Sequence, residues 1–139
     1  MTKVFDAGGC VLGRLASELA QQILHDDEPV KVVNAEQAIV TGEKNDVLET
    51  YRNKYHRGTE RKGPHFPRAP HRLVKRTVRG MIPYDQARGR NAYERLKCYI
   101  GVPEDVDESE IQSLDDAQPK SVREHVTVAE ISRDLGAKV

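Results

Sequence analysis

Two changes of apolar period within the first 33 residues constrain this chain more than anything else in it. Lys3-Val4-Phe5-Asp6-Ala7 is a short β-prone segment that stops at Gly8-Gly9. Leu12, Leu15, Ala16, Leu19, Ala20, Ile23 and Leu24 then recur at the spacing of one helix face, and after Pro29 the run Val30, Val32, Val33 reads as a buried strand. Strand, helix and strand in that order imply a right-handed parallel unit, because a right-twisted strand feeding a right-handed helix returns to its sheet in that way. The chain is therefore expected to be α/β. At 139 residues and 37% hydrophobic it has material for one domain spanning 1–139.

Beyond that unit, Ala38-Ile39-Val40-Thr41-Gly42 is a second short apolar piece, and residues 43–55 contain few breakers and suit a polar helix. Residues 57–70 are built from Arg, Lys, Gly, Pro and His with almost nothing to bury, the composition of an extended arm. Pro70 stands where a helix can begin, and residues 71–82 separate at 100° per residue: Leu73, Val74, Val78 and Met81 on one side, Arg72, Lys75, Arg76 and Arg79 on the other. Pro83 stops that helix. Another is expected over 86–96, running into Lys97-Cys98-Tyr99-Ile100 as a strand. Residues 103–120 are acidic and poor in large apolar groups, and are expected to form a surface loop with one turn of helix. Thr127-Val128-Ala129-Glu130 has capping-box spacing and opens a terminal helix over about 127–135.

A formal net charge of zero, from 22 Lys+Arg and 22 Asp+Glu, conceals how the charge is placed. Residues 52–97 hold fourteen Lys/Arg against Glu60, Asp85 and Glu94, which makes that third of the chain about +11 and leaves acidic flanks. A solvated helix face ordinarily mixes signs to gain i,i+4 pairs, whereas Arg72, Lys75, Arg76 and Arg79 form one stripe with no acid nearby in sequence. Such a stripe calls for a polyanion. The arm interleaves its cations with Tyr51, Tyr55, His56, His65, Phe66 and His71, groups able to stack on splayed bases. With no helix-turn-helix or zinc-finger frame to read a DNA groove, structured RNA is the expected ligand.

Other chemistries find less support. Cys10 and Cys98 lack a CxxC or metal-finger partner, and the five histidines form no HExxH set, so no metal is expected and the thiols should be buried and reduced. The turn Gly8-Gly9-Cys10-Val11-Leu12-Gly13 follows a strand and opens a helix, as a phosphate-binding turn would, and a small nucleotide-binding enzyme is the rival class. Its spacing is GGxxxG, neither GxGxxG nor a P-loop, and Glu36 reads as a solvated helix-start carboxylate before it reads as a ribose-binding acid. Ser17 and Ser109 lack nucleophile-elbow context, and no catalytic residue is assigned. The apolar runs are too short for a membrane span and no charged-then-apolar start resembles a secretion signal, so a cytoplasmic location is expected.

Four segments in register resemble one family. Leu12-Gly13-Arg14-Leu15-Ala16-Ser17, then Val32-Val33-Asn34-Ala35-Glu36 with Val40-Thr41-Gly42, then Val78-Arg79-Gly80-Met81-Ile82-Pro83, and Arg88-Gly89-Arg90 followed by Glu94-Arg95-Leu96-Lys97 look like the ribosomal large-subunit protein L13 family over roughly residues 4–103. The arm Lys62-Gly63-Pro64-His65-Phe66-Pro67-Arg68-Ala69-Pro70 is similar to the archaeal and eukaryotic cytosolic branch. The resemblance implies a three-layer α/β/α fold on a four-stranded, mainly parallel sheet, and a structural protein of the large ribosomal subunit that binds rRNA, joins early in assembly and meets neighbouring ribosomal proteins. It implies no enzyme activity, cofactor or small-molecule substrate. Arg79, with Gly80, matches the family's helix end, and Arg88 and Arg90 match its basic turn. These are expected against rRNA phosphates, and the basic block itself adds Arg52, Lys54, His56, Arg57, Arg61, Lys62, His65, Arg68, His71, Arg72, Lys75, Arg76 and Lys97 as RNA-binding residues. Arg14 is expected at either an rRNA contact or a structural salt bridge. At 84–86, where the family carries basic residues, this chain has Tyr84-Asp85-Gln86, so the resemblance assigns no phosphate contact there.

Overall fold

The computed structural model describes residues 2–25, 28–56, 67–119 and 124–138. Its first elements follow the opening pattern: strand β1 (Lys3–Asp6), helix α1 (Leu12–His25) and strand β2 (Val30–Val33). After them come β3 (Ile39–Thr41), α2 (Lys44–His56), α3 (Pro70–Arg79), α4 (Ala87–Glu94), β4 (Leu96–Cys98), β5 (Ile111–Ser113), β6 (His125–Thr127) and α5 (Val128–Asp134). Strands β4, β2, β1 and β5 lie side by side in that order, every pair parallel, giving a mixed α/β fold whose four-stranded parallel sheet is flanked by helices.

Register decides which side chains share a face. Phe5 pairs with Val32 and Val32 with Cys98, and Val30 pairs with Leu96, so these residues lie on one side of the sheet. On that side they meet Leu15, Leu19 and Ile23 of α1 and Leu73, Val74 and Val78 of α3 in the main core. Helix α1 packs against both α3 and α4, and α3 rests on β4. On the opposite side Val4 and Val33 form a small second cluster with Val106, with Ile111 packed against it.

The acidic segment departs from the expected loop. It contains two 3-10 turns, Glu108–Glu110 and Asp115–Ala117, and between them β5, which pairs Ile111 with Val4 and Ser113 with Asp6. The physical reason lies outside the segment: β1 would otherwise leave a row of backbone groups unpaired at the sheet edge. The apolar piece at 38–42 also lies outside the main sheet. As β3 it runs antiparallel to β6, with Val40 opposite Val126. Thr127 ends β6 and caps α5, its hydroxyl accepting from Glu130 N at 3.2 Å while the Glu130 carboxylate accepts from Thr127 N at 2.8 Å.

The glycine turn after β1 is fully employed by the protein itself. Gly8 N donates to the Asp6 carboxylate at 2.8 Å, Gly9 N to Gln37 O at 3.0 Å, Cys10 N to Ala7 O at 3.0 Å and Val11 N to Ala117 O at 2.9 Å. Asp6 also accepts from the side chain of Asn34, which sits in the left-handed region at φ 57°. These amides form a chain junction rather than a phosphate cradle. Glu36, expected as a solvated carboxylate, is half-buried and accepts from Gly101 N at 2.8 Å, clamping the loop after β4.

Both cysteines are free and buried. Burial, with Asp6 adding to it, pushes the Cys10 thiol up to about 11, and burial pushes Cys98 up to about 12, so neither carries a thiolate at neutral pH. Iodoacetamide is therefore expected to leave both unmodified in the native protein and to alkylate both in denaturant, as read by intact mass. Rapid native alkylation would show that the core opens around them.

Candidate nucleic-acid interface

Helix α3 forms because Pro70 fits its first turn and because one face can be buried: Leu73, Val74 and Val78 are at most 1% exposed. Gly80 caps it, its N–H reaching Arg76 O and Val78 O. The helix ends at Arg79, one turn sooner than the apolar period suggests. Met81 therefore leaves the buried side expected of it and is 46% exposed, while Ile82 turns inward. On the outer face Arg72 and Arg79 are exposed, and Lys75 and Arg76 half-buried. Among the described residues no carboxylate forms an ion pair with any of the four.

What holds part of this stripe is aromatic. The Arg79 guanidinium carbon lies 4.2 Å from the centre of the Tyr84 ring, and Lys75 Nζ lies 4.5 Å from that of Tyr93. The two rings meet edge to face, 5.4 Å apart and 88° between planes. Burial also holds the Tyr93 hydroxyl above the usual tyrosine range, so it stays neutral. Composition pointed to the arm for stacking groups, whereas Tyr84 and Tyr93 carry none of that signal. A turn residue and a helix residue nine positions apart share no periodic pattern.

The helix expected over 86–96 forms as α4, and Arg88-Gly89-Arg90, a basic turn by the resemblance, is helical within it. Gly89 is buried against the chain at Pro83, where a Cβ would stand 1.9 Å from the carbonyl oxygen. Arg90 folds back to donate to Tyr84 O at 3.3 Å and Asp85 O at 2.9 Å, and Arg88 points outward, exposed. The α3–α4 corner thus gathers Lys75, Arg76, Arg79 and Arg90 around two tyrosines.

The remaining candidates are distributed differently. Arg52 makes a two-point ion pair with Asp134 of α5, both bonds 2.6 Å, and the guanidinium holds the Asp134 carboxyl below its usual range. Lys54 lies 4.8 Å from the Tyr51 ring, and His56 meets Tyr55 edge to face. Arg68 is exposed, its guanidinium beside Gly136. His71 is half-buried, and burial, with Arg72 beside it, lowers its pKa and favours the neutral ring. Lys97 lies exposed on the sheet face opposite Leu96 and Cys98, away from the α3 stripe. Arg14 forms no salt bridge among the described residues; its guanidinium donates to Gln118 O at 3.4 Å. Arg57, Arg61, Lys62, His65 and the arm's Phe66 lie outside the described residues.

Two open clefts of about 290 Å³ each adjoin Tyr51, and neither meets the basic corner; one presents Glu43 and Asp46, the wrong sign for a phosphate. Among the described residues no three His, Cys, Asp or Glu side chains gather where a metal ion could be held.

The family model described as Ribosomal protein L13 matches residues 1–105. The chain is 49% identical over 136 residues to the large ribosomal subunit protein uL13 of Archaeoglobus fulgidus, covering 96% of this chain and 86% of that one. It is 44% identical to the protein of the same name from Methanosarcina barkeri, covering 97% and 98%, and 45% identical to that of Natronomonas pharaonis, covering 98% and 92%. Matches of this extent and identity, on a chain with this sheet and this basic corner, place it in the ribosomal protein L13 family.

Proposed function

We propose that this chain is a structural constituent of the large ribosomal subunit, a non-catalytic protein that binds large-subunit rRNA and scaffolds it early in assembly beside neighbouring ribosomal proteins. The observation that carries the reading is the outer face of α3, where Arg72, Lys75, Arg76 and Arg79 stand on a packed helix with no carboxylate paired to them among the described residues. Cations so arranged repel one another until phosphates neutralise them, and crowded rRNA helices supply phosphates at that density. Arg88 and Arg90 extend the same field on α4, and Lys54, Arg68 and the arm's Arg57, Arg61 and Lys62 supply further cations for RNA. His56, His65 and His71 serve as stacking or hydrogen-bonding groups. Arg52, whose charge Asp134 offsets, contributes least, and Lys97 and Arg14 meet separate stretches of RNA.

Sedimentation through sucrose gradients tests this directly. The protein is expected to travel with large subunits at moderate salt and to bind isolated large-subunit rRNA with an affinity that falls steeply with salt, by about 0.7–0.9 log units per log unit for each phosphate neutralised. A protein found only at the top of the gradient in moderate salt would sink the proposal.

A further inference from the structure

Resting on that rRNA reading, we propose that Tyr84 and Tyr93 are positioning residues of the interface, whose rings fix Arg79 and Lys75 in place without neutralising them, so that both reach phosphate with undiminished charge. A long cationic side chain can be held by a carboxylate, by a carbonyl, as Arg90 is, or by an aromatic ring face. Arg52 is gripped by Asp134 through two bonds of 2.6 Å, and Lys31 by Asp105 at 3.3 Å. Each such pair sums to zero charge and attracts phosphate weakly. Arg79 and Lys75 are held instead against ring faces, at 4.2 and 4.5 Å. A ring attracts a cation through its quadrupole and has no net charge of its own, so this pair of contacts keeps both positive charges.

The support is rigid where it needs to be. Tyr84 N donates to Ile82 O at 2.8 Å and its carbonyl accepts from Arg90, while Tyr93 packs against the main core. The edge-to-face contact at 5.4 Å lets each ring brace the other. Asp85, next in sequence to Tyr84, pairs with neither cation among the described residues. Lysine and arginine lose more rotamer freedom on binding than most side chains, and a ring that restricts them beforehand removes part of that loss.

A double-mutant cycle read by binding to a large-subunit rRNA transcript across a salt series tests the proposal. Tyr84→Leu is expected to weaken binding about fivefold, equivalent to ~1 kcal/mol at 1.4 kcal/mol per decade, with the salt slope unchanged, since Arg79 still neutralises its phosphate once bound. Tyr84→Phe, which keeps the ring, should restore parental affinity. Arg79→Gln should weaken binding and flatten the slope by about 0.7–0.9, and adding Tyr84→Leu to it should cost less than about twofold more. A Tyr84→Leu effect of the same size with or without Arg79 would make the ring mere packing and overturn the proposal. So would an Arg79→Gln variant with parental affinity and slope, although the rRNA reading would then survive. No salt-dependent binding by the unaltered protein would overturn both. Should Tyr84→Leu fail to fold, NMR of the unaltered free protein decides: ring current should shift the Arg79 Hδ protons upfield, and unshifted protons would end the proposal.

Discussion

Gly89→Ala is expected to destabilise the protein by roughly 3 kcal/mol, the upper range for forcing atoms into a packed site, with a melting point lower by on the order of 10 °C. The sign is opposite to the usual one. In the interior of a helix, alanine is favoured over glycine by about 1 kcal/mol. Here the added Cβ would stand 1.9 Å from Pro83 O and 2.3 Å from its carbonyl carbon, and these are backbone atoms that no side-chain rotation can move aside. To admit the methyl group α4 must lift from the turn at 83–84. That separation would break the bonds from Arg90 to Tyr84 O and Asp85 O and carry Tyr93 away from Tyr84. Gly13→Ala is the matched control, since nothing lies within 4 Å of its Cβ position in α1 and that variant should be neutral or slightly stabilised. Thermal unfolding followed by circular dichroism compares the two. A Gly89→Ala protein as stable as the Gly13→Ala protein would mean that α4 does not approach Pro83 this closely.

The contrast between these glycines shows which parts of the structure the chain announces locally. The unit β1-α1-β2 and the two faces of α3 are legible because each repeats one physical requirement over many residues: Leu12 to Ile23 bury one stripe, and Arg72 to Arg79 expose another. Strand β5 repeats nothing. It has three residues with one apolar side chain, Ile111, and exists because β1 presents an edge, a condition set by residues more than a hundred positions earlier. Gly89 misleads for a related reason. Inside the helix expected over 86–96 it reads as a weak spot, or by resemblance as a basic turn, while its real constraint is the carbonyl of Pro83 on the preceding segment. In the interface, the four cations of α3 are visible from spacing alone, but their aromatic supports are not. In sequence, Tyr84-Asp85-Gln86 reads as an absence of basic groups, and only the packing of α4 against the turn makes Tyr84 a seat for Arg79.

Replacing Arg72, Lys75, Arg76 and Arg79 together by glutamate should have the largest effect on binding of any change proposed. Every phosphate that the protein ceases to neutralise takes about 0.7–0.9 from the slope of log affinity against log salt. Four such phosphates flatten it by about 3, and at about 0.15 M salt the affinity falls on the order of a few hundredfold before the new carboxylates add their repulsion. The fold should survive, because the apolar face of α3 is untouched and no ion pair among the described residues depends on these four side chains. It should nevertheless weaken. Glutamates at 75 and 79 would face tyrosine rings that favour cations, and those at 76 and 79 would lie in the last turn, where the helix dipole disfavours negative charge by about 0.3–1 kcal/mol each. A parallel variant with glutamine at all four positions separates weakened attraction from added repulsion: it should show the flattened slope with a smaller drop in affinity. Unchanged slopes in both variants would move the interface off α3. A quadruple glutamate variant that does not fold would mean that the ring and dipole losses outweigh the buried face of α3, and the glutamine variant would then decide whether RNA still binds through it.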